Sequence, residues 1–261
     1  MTAFLAMACG DKKAAGTEPV AKTATTTQAK TANSPAGVTV TTKALDVDEA
    51  TGPLGALREL GSFDSIELLG SIDLEISQRD FAPLRIEASE EDLPKVVTEL
   101  DGETLTIGCQ EEDKKSTQCG PILVHVVLPK LKSLHVRGSG DTKGMTAFHS
   151  DTMNLGVHGA GNIAIELHAK RLDLNIQGSA NASLSGVVDT FQTTIQGSGS
   201  LLAPKLETKD VNVTIQGSGS VQVHVTGALD VSIMGSGSVF YTGAPKVTES
   251  IQGSGSVRHV D

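Results

Sequence analysis

From Val211 to Val225 the chain alternates apolar and polar side chains. Val211, Val213 and Ile215 interleave with Asn212, Thr214 and Gln216, the period of a strand buried on one face. Counting on by twos gives Gly217, Gly219, Val221, Val223 and Val225, so the alternation passes through Gly217-Ser218-Gly219 unbroken. Both glycines therefore take inward parity. A corner is expected there, because the inside of a tight bend has little room for side chains and Gly accepts the backbone angles of the bend.

The same unit recurs. Gly-Ser-Gly or a close variant begins at Gly138, Gly159, Gly178, Gly197, Gly217, Gly235 and Gly253, at spacings of 18 to 21 residues. The second glycine of each motif is Gly140, Gly161, Gly199, Gly219, Gly237 or Gly255, with Ala180 replacing it once. Strand, glycine corner, strand and polar turn form one coil, and a single coil cannot bury its apolar face alone. Stacking coils with parallel strands about 4.8 Å apart satisfies the backbone and builds one continuous core. The fold class predicted is all-β: a right-handed parallel β-helix, or β-solenoid, with Gly-Ser-Gly corners. Equivalent residues should form columns. The inward one runs Val136, Val157, Ile176, Ile195, Ile215, Ile233, Ile251. The residue before each corner runs Arg137, His158, Gln177, Gln196, Gln216, Met234, Gln252, and its Gln members are placed to bond amide to amide. Glu249 has inward parity in the last coil, where a charge would guard an open end against further pairing.

The preceding stretch is less regular. Ile66, Leu68, Gly70, Ile72, Leu74 and Ile76 repeat the strand–Gly–strand theme, and Leu84 to Ile86, Leu105 to Ile107 and Ile122 to Leu128 read as strands. Asp101-Gly102 is a hairpin signal between Val96-Val97 and Leu105. Helical periodicity is confined to weak candidates at Glu90 to Val97 and Leu54 to Leu60.

Composition sharpens this reading. With 28 Gly, no Trp, one Tyr and six Phe, the core must be built from Val, Ile and Leu in a narrow cross-section. A net charge of −10 with no basic stripe argues against nucleic acid and against anionic membrane surfaces. No run of 18 apolar residues occurs. The chain opens MTAFLAMACGDKK, where a short apolar run and small residues lead into Cys9. This resembles the end of a bacterial lipoprotein signal, with Cys9 the lipidated residue. The run is short for a full signal and no Lys or Arg precedes it, as a start assigned too far downstream would leave it. Gly10, in place of an Asp, favours the outer membrane by resemblance to lipoproteins of Gram-negative bacteria. Residues 1–9 are thus read as a truncated lipoprotein-type signal. Residues 10–60, rich in Ala, Thr and Lys, are read as a disordered tether. Residues 61–261 are read as the solenoid, irregular over 61–136 and regular over 137–261. Cys109 and Cys119 flank a polar segment and would form a disulfide in an oxidising compartment; two free thiols are the alternative.

An ordered set of motifs carries a family resemblance. It runs Phe63-Asp-Ser-Ile66, Gly70-Ser-Ile72-Asp-Leu74, Asp101-Gly102 with Leu105 and Ile107, Val124 and Val126 with Leu128-Pro129, then Leu134, Val136, Gly138-Ser-Gly140-Asp141 and Gly159-Ala-Gly161-Asn162-Ile163. In this order they resemble the bacterial family named putative auto-transporter adhesin, head GIN domain, over about residues 62 to 258. The resemblance implies a β-helix-like fold, export and an adhesive or surface role, with no catalytic residues to carry over.

Candidate chemistry is thin. The histidines His125, His135, His149, His158, His168, His224 and His259 form no pair at helical ligand spacing, and no Cys-x-x-Cys occurs, so no metal is expected. His224 has outward parity and reads as solvated. Gly138-Ser-Gly-Asp141 lacks the Asp in every repeat that calcium-binding nonapeptides need. The glycine motifs lead into strands, whereas a phosphate loop needs a helix N-terminus. Carbohydrate cleavage needs clustered carboxylates and insertions that break a column, and the coils from Gly159 to Gly255 carry no long insertion. The sequence therefore predicts a non-enzymatic envelope lipoprotein without cofactors. Its outward Thr, Ser, Asn and Gln columns would bind a glycan or an envelope or host-surface protein. A periplasmic scaffold or sensor component is the alternative, and a carbohydrate-active enzyme the third reading.

Overall fold

The computed structural model describes residues 41–45, 54–110 and 119–261. Cys9 and the remaining tether residues lie outside the described residues. Among those described, one 18-stranded sheet and a single 3-10 turn, Leu93–Lys95, make up the regular structure.

The first nine strands are β1 (Thr41–Leu45), β2 (Leu54–Glu59), β3 (Ser65–Gly70), β4 (Ile72–Gln78), β5 (Leu84–Ala88), β6 (Val96–Asp101), β7 (Thr104–Cys109), β8 (Ile122–Leu128) and β9 (Ser133–Gly138). The regular coils follow as β10 (Thr142–Gly144), β11 (Phe148–Gly159), β12 (Asn162–Gly178), β13 (Asn181–Gly197), β14 (Ser200–Gly217), β15 (Ser220–Gly235), β16 (Ser238–Thr242), β17 (Lys246–Gly253) and β18 (Ser256–His259). From β9 onward every pairing of successive coils is parallel, which is the β-solenoid that the alternation predicts.

The register reproduces the expected inward column residue for residue. Val136, Val157, Ile176, Ile195, Ile215, Ile233 and Ile251 stand one above another, and Leu68 of β3 continues the column below Val136. All but Ile251 are buried. Within β13, Val188 and Phe191 are buried while Asp189 and Thr190 between them are exposed. The expected polar turn is thus a two-residue bend inside one long strand, which keeps the strand paired on both sides.

At the corners the two glycines do different things. Gly197, Gly217 and Gly235 adopt φ of 123°, 131° and 132°, and the first glycines of the other motifs are likewise positive. A Cβ on Gly217 would sit 2.4 Å from the carbonyl oxygen of Gly197 one coil below. This first glycine is partly exposed, so coil-to-coil approach, not crowding inside the bend, demands it. The second glycine is the buried one in all but the last corner, as Gly199, Gly219 and Gly237 illustrate. Ala180 fills that place in one coil and is fully buried. Backbone bonds continue through the corner, for example Ser218 N to Gly197 O and Ser220 N to Gly199 O at 2.9 and 3.2 Å.

The irregular part is stacked out of chain order. β3 and β4 form one coil, and β9 and β10 lie on one side of it. β7 and β8, which come later in the chain, lie on its other side, parallel to β3 and β4. Antiparallel strands then close that end: β6 on β7 through the turn at Gly102 (φ 58°), and β5, β2 and β1 in succession on β8. Two expectations are corrected here. Residues 41–45 and 54–59, read as tether, are paired strands, and the helical candidate at Leu54 to Leu60 is β2. Pairing to β5 and the burial of Ala56 and Arg58 outweigh the local preference. The Arg58 guanidinium donates to Thr98 Oγ1 (2.8 Å) and Val96 O (2.6 Å), and burial pulls its pKa down.

The far end lacks an apolar lid among the described residues. Glu249 continues the column Leu134, Leu155, Leu174, Thr193, Val213, Val231 and is exposed.

Three outcomes follow from this packing. Gly217→Ala, which needs a positive φ and meets a carbonyl, should cost about 3 kcal/mol, and Gly219→Ala, at a position where Ala180 is accepted, about 1 kcal/mol; urea denaturation ranks them. Thr193 is fully buried in a hydrocarbon column and its hydroxyl finds no partner. Thr193→Val should therefore raise stability by about 1 kcal/mol in the same assay. The Asp92 carboxylate accepts from Lys95 Nζ (2.9 Å), Ser89 Oγ (2.7 Å) and Gly120 N (3.1 Å), and these bonds, Lys95 first, hold its pKa below the usual carboxylate range. Its contribution is present at neutral pH and lost as pH falls through that range. Asp92→Asn should flatten the decline in melting temperature between about pH 6 and about pH 3.

Candidate binding surface

Because strands alternate faces, every second residue of a coil points to solvent, and the register gathers these residues into columns. Before the corner, one column runs Asn154, Asp173, Gln192, Asn212, Asp230, Thr248, and the next runs Asn175, Thr194, Thr214, Ser232, Ser250. The third contains Gln177, Gln196 and Gln216 in register, as expected, yet no amide-to-amide bond links them among the described residues. These long side chains lie at the surface, where water satisfies the amide without the entropy cost of ordering three torsions. The bonded column lies after the corner, where side chains are shorter. Asn162 Nδ2 donates to Asp141 Oδ1 (2.8 Å), and Asn181 Nδ2 donates to Asn162 Oδ1 (3.0 Å).

The histidines are dispersed over this surface. His125 lies between two carboxylates, with Nδ1 3.1 Å from Glu75 and Nε2 3.1 Å from Glu87, while Arg85 pairs with Glu87 at 2.7 Å. The carboxylates meet opposite edges of the ring, so they do not converge on one ion. No group of three or more His, Cys, Asp or Glu able to hold a metal occurs among the described residues. His135 occupies the room left by Gly156, where a Cβ would come within 2.3 Å of its Nδ1, and burial pushes its pKa down. His224 points outward, as parity predicts. It is half-buried rather than freely solvated, with Nδ1 2.7 Å from Thr242 Oγ1 on the next coil.

A recess of about 400 Å³ lies where β11 and β12 begin to bend. It is shallow, and it is lined by Lys130, His149, Ser150, Asp151, His168, Ala169 and Lys170. His149 and His168 stack with ring centroids 4.9 Å apart and planes 11° from parallel. Lys170 Nζ is 2.8 Å from Asp151 Oδ1, which holds the Asp151 pKa down and the Lys170 pKa up. Reading histidines for helical ligand spacing misses this pair. The signal that finds it is a separation of 19 residues, one coil.

Cys109 and Cys119 are joined by a disulfide with Cα atoms 6.6 Å apart. The bond stands where β7 passes to β8, the place that Gly70-Ser71 takes between β3 and β4 in the coil above. It closes the base of the segment between them, of which residues 111–118 lie outside the described residues. Asp92 secures the same neck by accepting from Gly120 N.

Known proteins share this architecture. A putative adhesin of Bacteroides fragilis aligns with a TM-score of 0.75 at 20% identity, covering 81% of this chain and 98% of that one. A putative lipid-binding protein of Parabacteroides distasonis aligns at 0.69 and 26% identity, covering 82% and 99%. A putative adhesin of Parabacteroides merdae aligns at 0.62 and 22% identity, covering 85% and 96%. No curated protein matches the sequence. The family model for the putative auto-transporter adhesin, head GIN domain, matches residues 62–245, and the chain belongs to that family.

Proposed function

We propose that this protein is a non-enzymatic binding module of the bacterial envelope, tethered to the outer membrane by a lipid on Cys9, which adheres to a glycan or to an envelope or host-surface protein. The observation that carries this reading is the registered set of outward Asn, Asp, Gln, Thr and Ser columns on a single buried core. Such a surface repeats the same hydrogen-bonding groups at coil spacing. A repetitive ligand can then engage many weak contacts at once, and the rigid stack has little order to gain on binding. Catalysis asks instead for groups converging in a concave, water-excluding site. The coils keep an 18–20 residue spacing from Gly159 to Gly253, which leaves no insertion to wall such a cleft. Membership of a family named for adhesins points to a surface or envelope protein, and no described helix is long and apolar enough to cross a membrane.

Protease shaving of intact and lysed cells, followed by blotting, tests the orientation. Digestion on intact cells is the expected result. Protection until lysis would sink the adhesin reading and leave a periplasmic scaffold that binds another envelope protein. Globomycin treatment or Cys9→Ala should release the chain from the membrane fraction, and an unchanged distribution would refute the lipid tether.

A further inference from the structure

We propose that the recess beside β11 and β12 is an oxyanion subsite, taking a carboxylate, sulfate or phosphate group displayed on an acidic glycan or a lipid headgroup. The proposal rests on the reading of this chain as a surface-binding module and names the chemistry of one of its contacts. On a protein of net charge −10, this recess is lined by two lysines and two histidines against a single carboxylate. Asp151 is already engaged by Lys170 at 2.8 Å. Lys130 forms no ion pair among the described residues, and its charge is felt at Asp151, so it stands free to meet an incoming anion.

The histidine pair supplies the second argument. Two imidazoles stacked with centroids 4.9 Å apart, their planes 11° from parallel, line the same recess and bring two ring N–H donors to it. The ionisable groups facing the pair are Lys130, Asp151 and Lys170, with Glu166 3.9 Å from His168 and Asp189 beyond Lys170. On the next coil His168 stands in register with uncharged Val187.

The site is also held in shape. Gln78 at the end of β4 accepts from His149 N (2.5 Å) and donates to His149 O (3.1 Å) and to Pro129 O (2.9 Å). One side chain thus ties the backbone of His149 to that of the residue preceding Lys130, which holds two walls of the recess together. A volume of about 400 Å³ that opens to solvent suits one charged sugar unit or headgroup on a larger ligand.

The test uses the full chain against immobilised dextran sulfate, polygalacturonate and neutral dextran, and against phosphatidylcholine vesicles with and without phosphatidylglycerol. Affinity is measured at about pH 5.5 and about pH 7.5. Binding to an anionic probe is expected to strengthen by roughly tenfold at the lower pH. His149→Gln with His168→Gln should abolish that gain, and Lys130→Gln should weaken binding at both pH values. Lys246→Gln, a lysine on β17, controls for non-specific attraction, and circular dichroism confirms that each variant is folded. Binding to the polysaccharides identifies a glycan source, and binding to the anionic vesicles a lipid source; either supports the subsite if it needs Lys130 and the histidine pair. Equal loss in the Lys246 variant, or indifference to the recess substitutions, overturns it. Failure here in a chain that is digested on intact cells would discard the subsite and leave the surface assignment standing.

Discussion

Everything in this molecule depends on how closely one coil can approach the next at its corners. The backbone of each coil must bond to the coil below along its whole length, and a bend is where that contact is easiest to lose. Here it is kept. The first corner glycine turns with positive φ, and its Cα lies so close to the carbonyl beneath that a Cβ would fall 2.3 Å from it at Gly235 and 2.2 Å at Gly253. The amide that follows reaches the same carbonyl, as Ser236 N does Gly217 O at 2.9 Å. A side chain at this point would pry the coils apart along the whole strand, and the inward Ile and Val columns would lose contact with each other.

A stack of coils has two ends, and each must be kept from pairing with a stranger. One end is closed by chain that runs the other way. β6 covers β7, and β5, β2 and β1 cover β8, with Arg58 bonded beneath them to β6. On the side of β17 the column that buries Val213 and Val231 continues to an exposed carboxylate, Glu249. Adding another apolar coil over Glu249 would strip the charge of water, which is costly for an unpaired carboxylate.

The contrast between the halves also explains what was legible in the sequence. Where coil follows coil in chain order, alternation and a constant spacing decide both the face of each residue and its neighbour. Val157, Ile176, Ile195 and Ile215 are accordingly assigned to one column by parity and spacing alone, and the register places them there. Where the order is broken, local pattern is silent. Nothing in Leu105 to Ile107 says that this strand lies under Ile66 to Leu68 and not over it, because β-pairing over tens of residues is a tertiary choice. The strands at 41–45 and 54–59 were hidden for the same reason: the first shows no alternation that stands out locally, the second carries a weak helical pattern, and both are ordered by the edge they join. The side-chain bonds themselves were not legible, because parity and spacing place a column without saying which of its side chains will order. The Asp141, Asn162, Asn181 column is bonded, and the longer Gln177, Gln196, Gln216 column is not.

The surface inherits its chemistry from the same rule. In a solenoid the residue one coil away is a neighbour, so a separation of 18 to 21 positions along the chain acts on the surface as i,i+4 does on a helix. Read with that separation, His149 and His168 are a pair, and so are Asp151 and Lys170, each set 19 residues apart. Outward positions bear almost none of the packing load. Their side chains are free to vary without disturbing the core, and a cluster of like charge can persist there without loss of the fold. The recess between Lys130 and Lys170 gathers two lysines and two histidines in a chain of net charge −10. A periodic polar face binds broadly and weakly; a local break in its charge is where such a face acquires a preference for one ligand over another.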